Sequence, residues 1–321
     1  MQGNLNTIIP YSNMSKFEKL IFNIKKYKAL LLLMIPGVIV VFINNYLPMF
    51  GILIAFKRLD YSLGILKSPF VGLQNFKFLF STDDAFRITR NTLCFNMVFI
   101  FVGLFISVAL AIMLNEIKNH SLSKIYQTII ILPYFMSFVV IGYIVFAFLN
   151  PEYGYINKTV LKMLGIEEVL WYSEPKYWIF IMPAVNFWVH SGMSSVIYIA
   201  SISSIDSEMY EAAYVDGATK WQQIKNITIP MLFPVMVVLT LLNLGNIFKG
   251  NFNMFYQVPL DSPALYPVTD VIDTYVYRAL LHVGDISMSS AAGLYQSIIG
   301  FITVYITNSV VRRIDPSKSL F

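Results

Sequence analysis

The chain has 321 residues, of which 57% are hydrophobic and 16% aromatic, and its mean hydropathy is +0.64. Only 13% of the residues are charged, whereas a soluble domain carries about 25%. This composition excludes a disordered chain, a collagen-like chain and a nucleic-acid-binding domain with a charged face. The net charge of +5 instead suits contact with anionic membrane lipid.

The few charges are unevenly placed along the chain. Six segments contain no Asp, Glu, Lys or Arg: residues 29–56, 91–115, 125–151, 177–205, 226–248 and 286–311. Each is long enough to cross a bilayer, because a helix needs about 20 apolar residues to span the hydrocarbon. The sequence therefore predicts an all-α polytopic membrane protein with six transmembrane helices, at 29–50, 91–114, 125–149, 177–202, 230–248 and 289–311.

This division predicts an N-terminal segment 1–28, a six-helix transmembrane domain 29–311 and a tail 312–321. Lysines before the first helix, and Arg312 and Arg313 after the last, favour cytoplasmic termini. Basic residues in the first loop, among them Lys57 and Arg58, oppose that orientation. Charge bias alone therefore leaves the orientation open.

The polar segment between the fourth and fifth predicted helices, residues 203–230, is predicted to form two short helices. Asp206 can cap the first helix and Gly217 can end it in a tight turn. Thr219 and Gln222 have the spacing of a capping box for the second helix. Pro230 suits the first turn of a membrane helix, where its missing N–H costs nothing. A helix-turn-helix of this size is suited to docking in a groove.

The same segment carries a spaced motif: Glu211-Ala212-Ala213, then Gly217, then Ile227-Thr228-Ile229-Pro230. It resembles the EAA loop of type I ABC importer permeases, whose pattern ends in Ile-x-Leu-Pro, and Ile229 is the departure from it. The resemblance implies a cytoplasmic loop and cytoplasmic termini. It also implies that the loop couples the chain to an ATPase, with Glu211 facing a basic residue of that partner. The implied coupling residues are Glu211, Ala212, Ala213, Gly217, Ile227 and Pro230.

Four further stretches, 48–57, 71–76, 114–117 and 270–277, are similar to the polysaccharide and oligosaccharide subgroup of maltose-type sugar permeases. The resemblance covers roughly residues 25–315. It implies the type I ABC importer permease fold and a permease subunit of the bacterial cytoplasmic membrane that passes an oligosaccharide or a polysaccharide-derived sugar. The implied partners are a second homologous permease, two copies of a cytoplasmic ABC ATPase and an extracellular solute-binding protein or lipoprotein.

The sequence has no Gly-x4-Gly-Lys-Ser/Thr phosphate loop. We therefore expect a transport subunit rather than an enzyme, with no cofactor of its own, and we expect ATP and Mg²⁺ to bind the partner ATPase. The alternative function is a stand-alone secondary transporter or channel subunit. Such a protein would be expected to carry intramembrane carboxylates or inverted repeats, and the six charge-free segments contain no carboxylate.

Polar side chains within the apolar segments predict the solute path, because they are costly there unless they face protein or water. Amides suit sugar hydroxyls and an aromatic ring can stack on a sugar face. The spacing predicts one helical face for Asn243, Asn246 and Gly250, and another for residues 186, 190 and 194. Hydrogen bonding between helices is the alternative role. The predicted path residues are Asn186, Trp188, Ser194, Asn243, Asn246, Gly250 and Asn251.

Other residue combinations are less informative. The histidines at 120, 190 and 282 are too dispersed to predict a metal site, and no nucleophile is paired with a base. Asp270 and Asp273 would share one helical face. We expect this pair to be solvated, with partner binding at the outer surface as the alternative.

Overall fold

The computed structural model describes residues 15–314, which fall into two compact bodies divided between Leu53 and Ile54. The first body contains α1 (Lys16–Lys26) and α2 (Lys28–Val41), which continues through a π-helical turn (Phe42–Tyr46). A 3₁₀ segment (Leu47–Phe56) then leads into the second body. Large apolar side chains are exposed along α2, which fits a helix that faces lipid.

The second body is helical, and an isolated antiparallel bridge joins Lys57 to Phe70. Its long helices are α5 (Asp84–Asn115), α8 (Pro175–Ser203) and α15 (Ile286–Ile314). The other helices, numbered in chain order, are α3 (Gly64–Lys67), α4 (Gln74–Ser81), α6 (His120–Ile131), α7 (Phe138–Leu149), α9 (Ser207–Val215), α10 (Lys220–Gln223), α11 (Ile229–Leu244), α12 (Phe252–Gln257), α13 (Tyr266–Thr269) and α14 (Ile272–Arg278).

Among the described residues, four helical stretches are long and apolar enough to cross a membrane: 28–56, 84–115, 220–244 and 286–313. A bent pair of helices within 121–149 provides a fifth candidate span. Helix α8 has 29 residues, which is also enough to cross, but it is more polar because Asn, His and Ser residues line one of its faces. The predicted all-α membrane fold is confirmed.

Helix α5 is the central element of the second body. It contributes Phe95, Ile88 and Val108 to three separate hydrophobic clusters, and its most extensive partner is α8. Its 32 residues span about 48 Å. The helix begins two turns before the predicted residue 91, because Ala85 and Ile88 are buried against the rest of the body although the charged Arg87 lies between them.

The predicted single helix at 125–149 is wrong. The structure divides this stretch into α6 and α7, which are joined by a 3₁₀ turn (Leu132–Phe135) and bent by 101°. Pro133 cannot donate a backbone hydrogen bond, and the Ser137 hydroxyl accepts from Val140 N as the N-cap of α7. Hydropathy does not reveal a helix break within a charge-free segment, because the residues on both sides of the break are apolar.

At one end of α5 the buried carboxylate of Asp270 forms ion pairs with two arginines. The Asp270 side chain is fully buried and forms ion pairs with Arg87 of α5, at 3.1 Å, and with Arg278 of α14. The Asn91 amide donates to the backbone carbonyl of Asp270 at 2.9 Å. Burial lowers the pKa of Arg278, but the attraction of Asp270, together with that of Tyr266 and Asp261, outweighs this effect, and the pKa is raised above its ordinary value. The expectation that Asp270 is solvated is therefore wrong.

We predict that Gly192→Ala destabilises the protein. A Cβ at Gly192 would lie 2.2 Å from the backbone carbonyl oxygen of Ile130, so α6 and α8 would have to separate, at a cost of about 1–3 kcal/mol. The thermal unfolding midpoint of the purified protein measures this. Gly293→Ala is the matched control, since a Cβ there meets no atom within 4 Å. Equal midpoints for the two variants would contradict close packing at Gly192.

A second prediction concerns the buried carboxylate. Asp270→Asn leaves two arginines facing a neutral group in a site removed from water, and we expect a loss of about 3 kcal/mol in the free energy of unfolding. Asp83→Asn, at an exposed position, should leave stability within about 0.5 kcal/mol of the wild type. Thermal or denaturant unfolding of the two variants side by side measures the difference, and unchanged stability of Asp270→Asn would refute the role assigned to the carboxylate.

Candidate functional site

The segment 203–230, here called the coupling loop, forms the local structures that its sequence predicts. The Asp206 side chain accepts a hydrogen bond from Glu208 N at 3.0 Å and caps α9. Gly217 follows α9 with φ at +81°, a left-handed conformation in which glycine carries no steric penalty. Thr219 and Gln222 form the predicted capping box of α10. These local predictions are confirmed.

The two-helix description of the loop needs one correction. Helix α10 does not end before the membrane helix but passes through a π-helical turn (Ile224–Thr228) directly into α11. Ile224 and Ile229 both have right-handed helical backbone angles, so residues 220–244 form one continuous helical stretch. Any displacement of α10 is therefore transmitted directly to α11.

The structure places the motif residues on the outside of the loop. Glu211 and Ala212 on α9 are exposed, and Ala213 is half-buried. Gly217 and Pro230 are exposed, whereas Ile227 is half-buried. The motif thus contributes an accessible carboxylate next to two small side chains.

Sequence reasoning missed an apolar component of this surface. Tyr214 is 76% exposed and Val215 84% exposed, and both lie one helical turn from Glu211. Trp221 on α10 is 67% exposed. Large apolar side chains left open on a polar loop are typical of a protein-docking surface. Their presence in an otherwise polar insert is the sequence signal that could have revealed them.

A cavity of about 180 Å³ lies between α5, α8 and α11. Asn186, His190 and Ser194 of α8 line it together with Asn243 of α11. The lining also includes aromatic and hydroxyl side chains, with Phe99 and Ser107 from α5, Phe187 from α8 and Thr240 from α11. The structure therefore brings together three of the predicted path residues, one of which comes from a different helix.

His190 takes part in local contacts at this cavity. Its Nδ1 lies 3.1 Å from the backbone carbonyl oxygen of Asn186. The imidazole packs near the rings of Tyr134 and Phe138, with centroids 6.1 Å away in each case. His190 is therefore a packed, hydrogen-bonded residue of the cavity wall.

The other predicted path residues lie elsewhere. Trp188 is 44% exposed on α8 and is not part of the cavity lining. Helix α11 ends at Leu244, so Asn246 and Gly250 do not share a helical face with Asn243, and the predicted face is wrong. The Asn246 amide donates to Leu242 O at 3.2 Å, and Asn251 caps α12 by accepting from Met254 N.

The chain after α11 is no longer a regular helix. Side chains from other helices form hydrogen bonds with its backbone carbonyl oxygens and with one of its N–H groups. Asn96 of α5 donates to the carbonyl oxygens of Ile247 and Lys249, at 2.7 and 3.1 Å. Gln296 of α15 donates to Phe248 O at 2.6 Å. The N–H of Gly250 donates to the Asp273 carboxylate at 2.6 Å. A Cβ at Gly250 would lie 2.8 Å from that carboxylate oxygen, so the glycine permits this close approach.

The cavity and the coupling loop lie at different levels of the same helices. At the first turn of α5, Arg87 lies beside Asp270. At the other end of the helix, Glu116 directly follows α5, and its carboxylate pairs with Lys220 of the loop at 3.2 Å. Among the described residues no group of three or more His, Cys, Asp or Glu side chains could hold a metal ion. The site therefore combines an exposed docking loop with an uncharged, amide-containing cavity.

Known proteins are similar to this chain in sequence and in architecture. The polygalacturonan/rhamnogalacturonan transport system permease protein YteP of Bacillus subtilis is 33% identical over 300 residues, which are 93% of this chain and 92% of that protein. A bacterial ABC transporter involved in the import of the acidic polysaccharide alginate contains a chain with 33% identity and a TM-score of 0.84, which covers 93% of this chain and 100% of its own length. The alginate transporter in complex with an alginate pentasaccharide-bound periplasmic protein gives a TM-score of 0.83, at 33% identity and with 92% and 98% of the two chains covered.

The family model described as the binding-protein-dependent transport system inner membrane component matches residues 103–317. This range includes the whole coupling loop and the cavity-lining residues except Phe99 and Ile100. With the model matching most of the chain and with relatives similar over nearly its full length, this chain belongs to the family of binding-protein-dependent transport system inner membrane components.

Proposed function

We propose that this chain is the permease subunit of an ABC importer that passes an oligosaccharide or polysaccharide-derived sugar across the cytoplasmic membrane. The observation that carries the proposal is the exposed EAA sequence on a loop whose two ends continue into α8 and α11. These two helices also line the uncharged cavity. The chain thereby links a docking surface to a compartment suited to a solute.

The coupling loop is the proposed docking site for an ABC ATPase, which would bind the ATP and Mg²⁺. Its first helix is short and exposed, and Glu211 offers one carboxylate between small and apolar side chains. Closure of the ATPase would move α8 and α11 as levers, in a rigid-body switch between inward and outward openings.

The cavity is the proposed sugar path. The side chains of Asn186, Ser194 and Asn243 both donate and accept hydrogen bonds, as sugar hydroxyls require. Phe99 and Phe187 supply aromatic faces that could stack on a sugar ring. Relatives named for polygalacturonan, rhamnogalacturonan and alginate support a substrate derived from a polysaccharide.

The proposed orientation has both termini in the cytoplasm, on the side of the coupling loop. Helix α15 begins at the opposite end from the loop, where Leu59 N donates to the Ser287 hydroxyl and the Ser289 hydroxyl donates to Val276 O. It therefore ends on the loop side. For the N-terminus, the lysines before the first span favour the cytoplasmic side.

The proposed partners are a second homologous permease, two copies of the ATPase and an extracellular solute-binding protein. Support for the solute-binding protein comes from the alginate transporter, a structural neighbour whose structure was solved in complex with its sugar-bound periplasmic protein.

Uptake into proteoliposomes that contain the assembled complex tests the function. We expect sugar accumulation to require both ATP and the binding protein. Uptake in the absence of ATP and ATPase would instead favour a stand-alone transporter.

We predict that Glu211→Ala abolishes uptake or separates ATP hydrolysis from it. Removing one partner of a charge pair at an interface costs about 2–5 kcal/mol, so transport should fall by more than tenfold. Glu208→Ala is the matched control, because Glu208 is an exposed carboxylate on the same helix. Uptake and ATP hydrolysis are measured together in proteoliposomes. Normal uptake by Glu211→Ala would end the proposed role of this carboxylate.

A further prediction distinguishes the cavity from the helical face inferred from spacing. Asn243→Leu should raise the half-saturating sugar concentration for uptake by about tenfold, since buried polar groups of the solute lose their partner. Asn246→Leu should have little effect, because its amide bonds to Leu242 O and lies outside the cavity lining. Initial uptake rates over a range of sugar concentrations measure both variants. If Asn246→Leu raised the half-saturating concentration more than Asn243→Leu, the result would contradict a sugar path through this cavity.

A further inference from the structure

The three helices that line the cavity are connected to the coupling loop in different ways. Helices α8 and α11 are continuous with the loop through the backbone. Helix α5 is not, although it forms the third side of the cavity. A movement of the loop therefore reaches α5 only through non-covalent contacts, which are its packing against α8 and α11 and the side-chain contacts near Asn115, where α5 ends.

Two side-chain contacts lie at this junction. The ammonium group of Lys220, the first residue of α10, lies 3.2 Å from the carboxylate of Glu116, which directly follows α5. The hydroxyls of Tyr210 on α9 and of Thr228, the residue directly before α11, lie 2.9 Å apart. Tyr210, Lys220 and Glu116 also line one cavity of about 260 Å³, so the two contacts are neighbours.

The Tyr210 contact matters because α9 is otherwise loosely attached. Its nine residues include no buried side chain. It is joined to α8 by the two residues Ser204 and Ile205 before its cap, and to α10 by a turn at Gly217. A Cβ at Gly217 would meet no atom within 4 Å, so the turn is open. Thr228, by contrast, is 4% exposed and is fixed in the body of the protein.

We propose that Tyr210 and Glu116 are positioning residues that transmit the movement of the coupling loop to the cavity. The Tyr210–Thr228 hydrogen bond makes α9 move with the first turn of α11. The Glu116–Lys220 ion pair makes α5 move with α10. All three walls of the cavity then respond together to one docking event. This inference rests on the proposed function of the loop and names residues outside the EAA motif.

The geometry explains how the two contacts strengthen concerted movement. From Thr228 to Asn243 the helix rises about 22 Å, and from Ser107 to Glu116 about 14 Å, so each contact acts at the end of a helical lever that reaches the cavity. Without the ion pair, α5 would be linked to the moving helices by its packing against α8 and α11 alone, and its loop end would follow them less closely. Without the hydrogen bond, α9 could rotate about the turn at Gly217, and less of its displacement would reach α11.

Charge exchange tests the ion pair in the complete transporter reconstituted in proteoliposomes. The quantity measured is the number of ATP molecules hydrolysed per sugar transported. Glu116→Lys and Lys220→Glu should each raise this ratio about two- to fivefold, as expected for the loss of an exposed ion pair. The double exchange Glu116→Lys with Lys220→Glu should return it to the wild-type value. Lys158→Glu, which breaks an exposed pair with Glu168 at the other end of α8, should leave it unchanged.

Hydroxyl removal tests the second contact. Tyr210→Phe and Thr228→Val should each raise the ATP-to-sugar ratio, and the double variant should be no worse than the single ones, because both remove the same bond. Tyr153→Phe, at an exposed position, is the control. These substitutions keep ring and side-chain volume, so they remain informative if a charge reversal prevents assembly of the complex.

The outcomes separate this inference from the proposed function. If the wild-type complex shows no ATP-dependent uptake, the proposed function itself fails. If the wild type transports but the variants lower uptake and ATP hydrolysis in proportion, the ratio stays constant and the two contacts serve stability alone. Failure of the double charge exchange to restore the ratio, or fully additive effects of Tyr210→Phe and Thr228→Val, would also overturn the inference.

Discussion

Helix α11 ends at Leu244, and the irregular segment that follows depends on side chains that replace the lost helical hydrogen bonds. In a membrane an unpaired backbone group costs several kcal/mol, so irregular structure survives only where protein groups satisfy it. Here Asn96 from α5, Gln296 from α15 and Asp273 from α14 supply the partners. Because these come from three different helices, the unwound chain also holds those helices together, and the helix that leads from the coupling loop ends beside the cavity.

Charge is distributed according to the same constraint. Carboxylates and arginines gather at one end of α5, around Asp270, and an ion pair forms at its other end, between Glu116 and Lys220. Between these ends the cavity is lined by amide, hydroxyl and aromatic groups. Neutral polar groups can exchange protein partners for solute partners in their hydrogen bonds without the desolvation cost of a charge. A compartment of this kind can open and close without exposing an ion to hydrocarbon.

The sequence predicted the elements whose cause is local. The caps at Asp206 and Thr219 and the turn at Gly217 are confirmed, because each depends on residues within three positions of one another. The bend between α6 and α7 and the early end of α11 were not predicted. Both occur inside charge-free segments, where neither composition nor helical spacing distinguishes an intact helix from a broken one. Asp270 was expected to be solvated because its two arginine partners lie 183 and 8 residues away in the chain.

The sequence by itself determined that the chain is a helical membrane protein, and its EAA motif indicated the coupling loop. Both follow from the order of residues, since apolar length and motif spacing are properties of a linear chain. Only the tertiary structure decided which polar residues meet. It brought Asn186 and Ser194 to the same cavity as Asn243, separated Asn246 from them, and joined Glu116 to Lys220. These contacts depend on where each helix ends and bends, and backbone hydrogen bonding across distant segments sets those points.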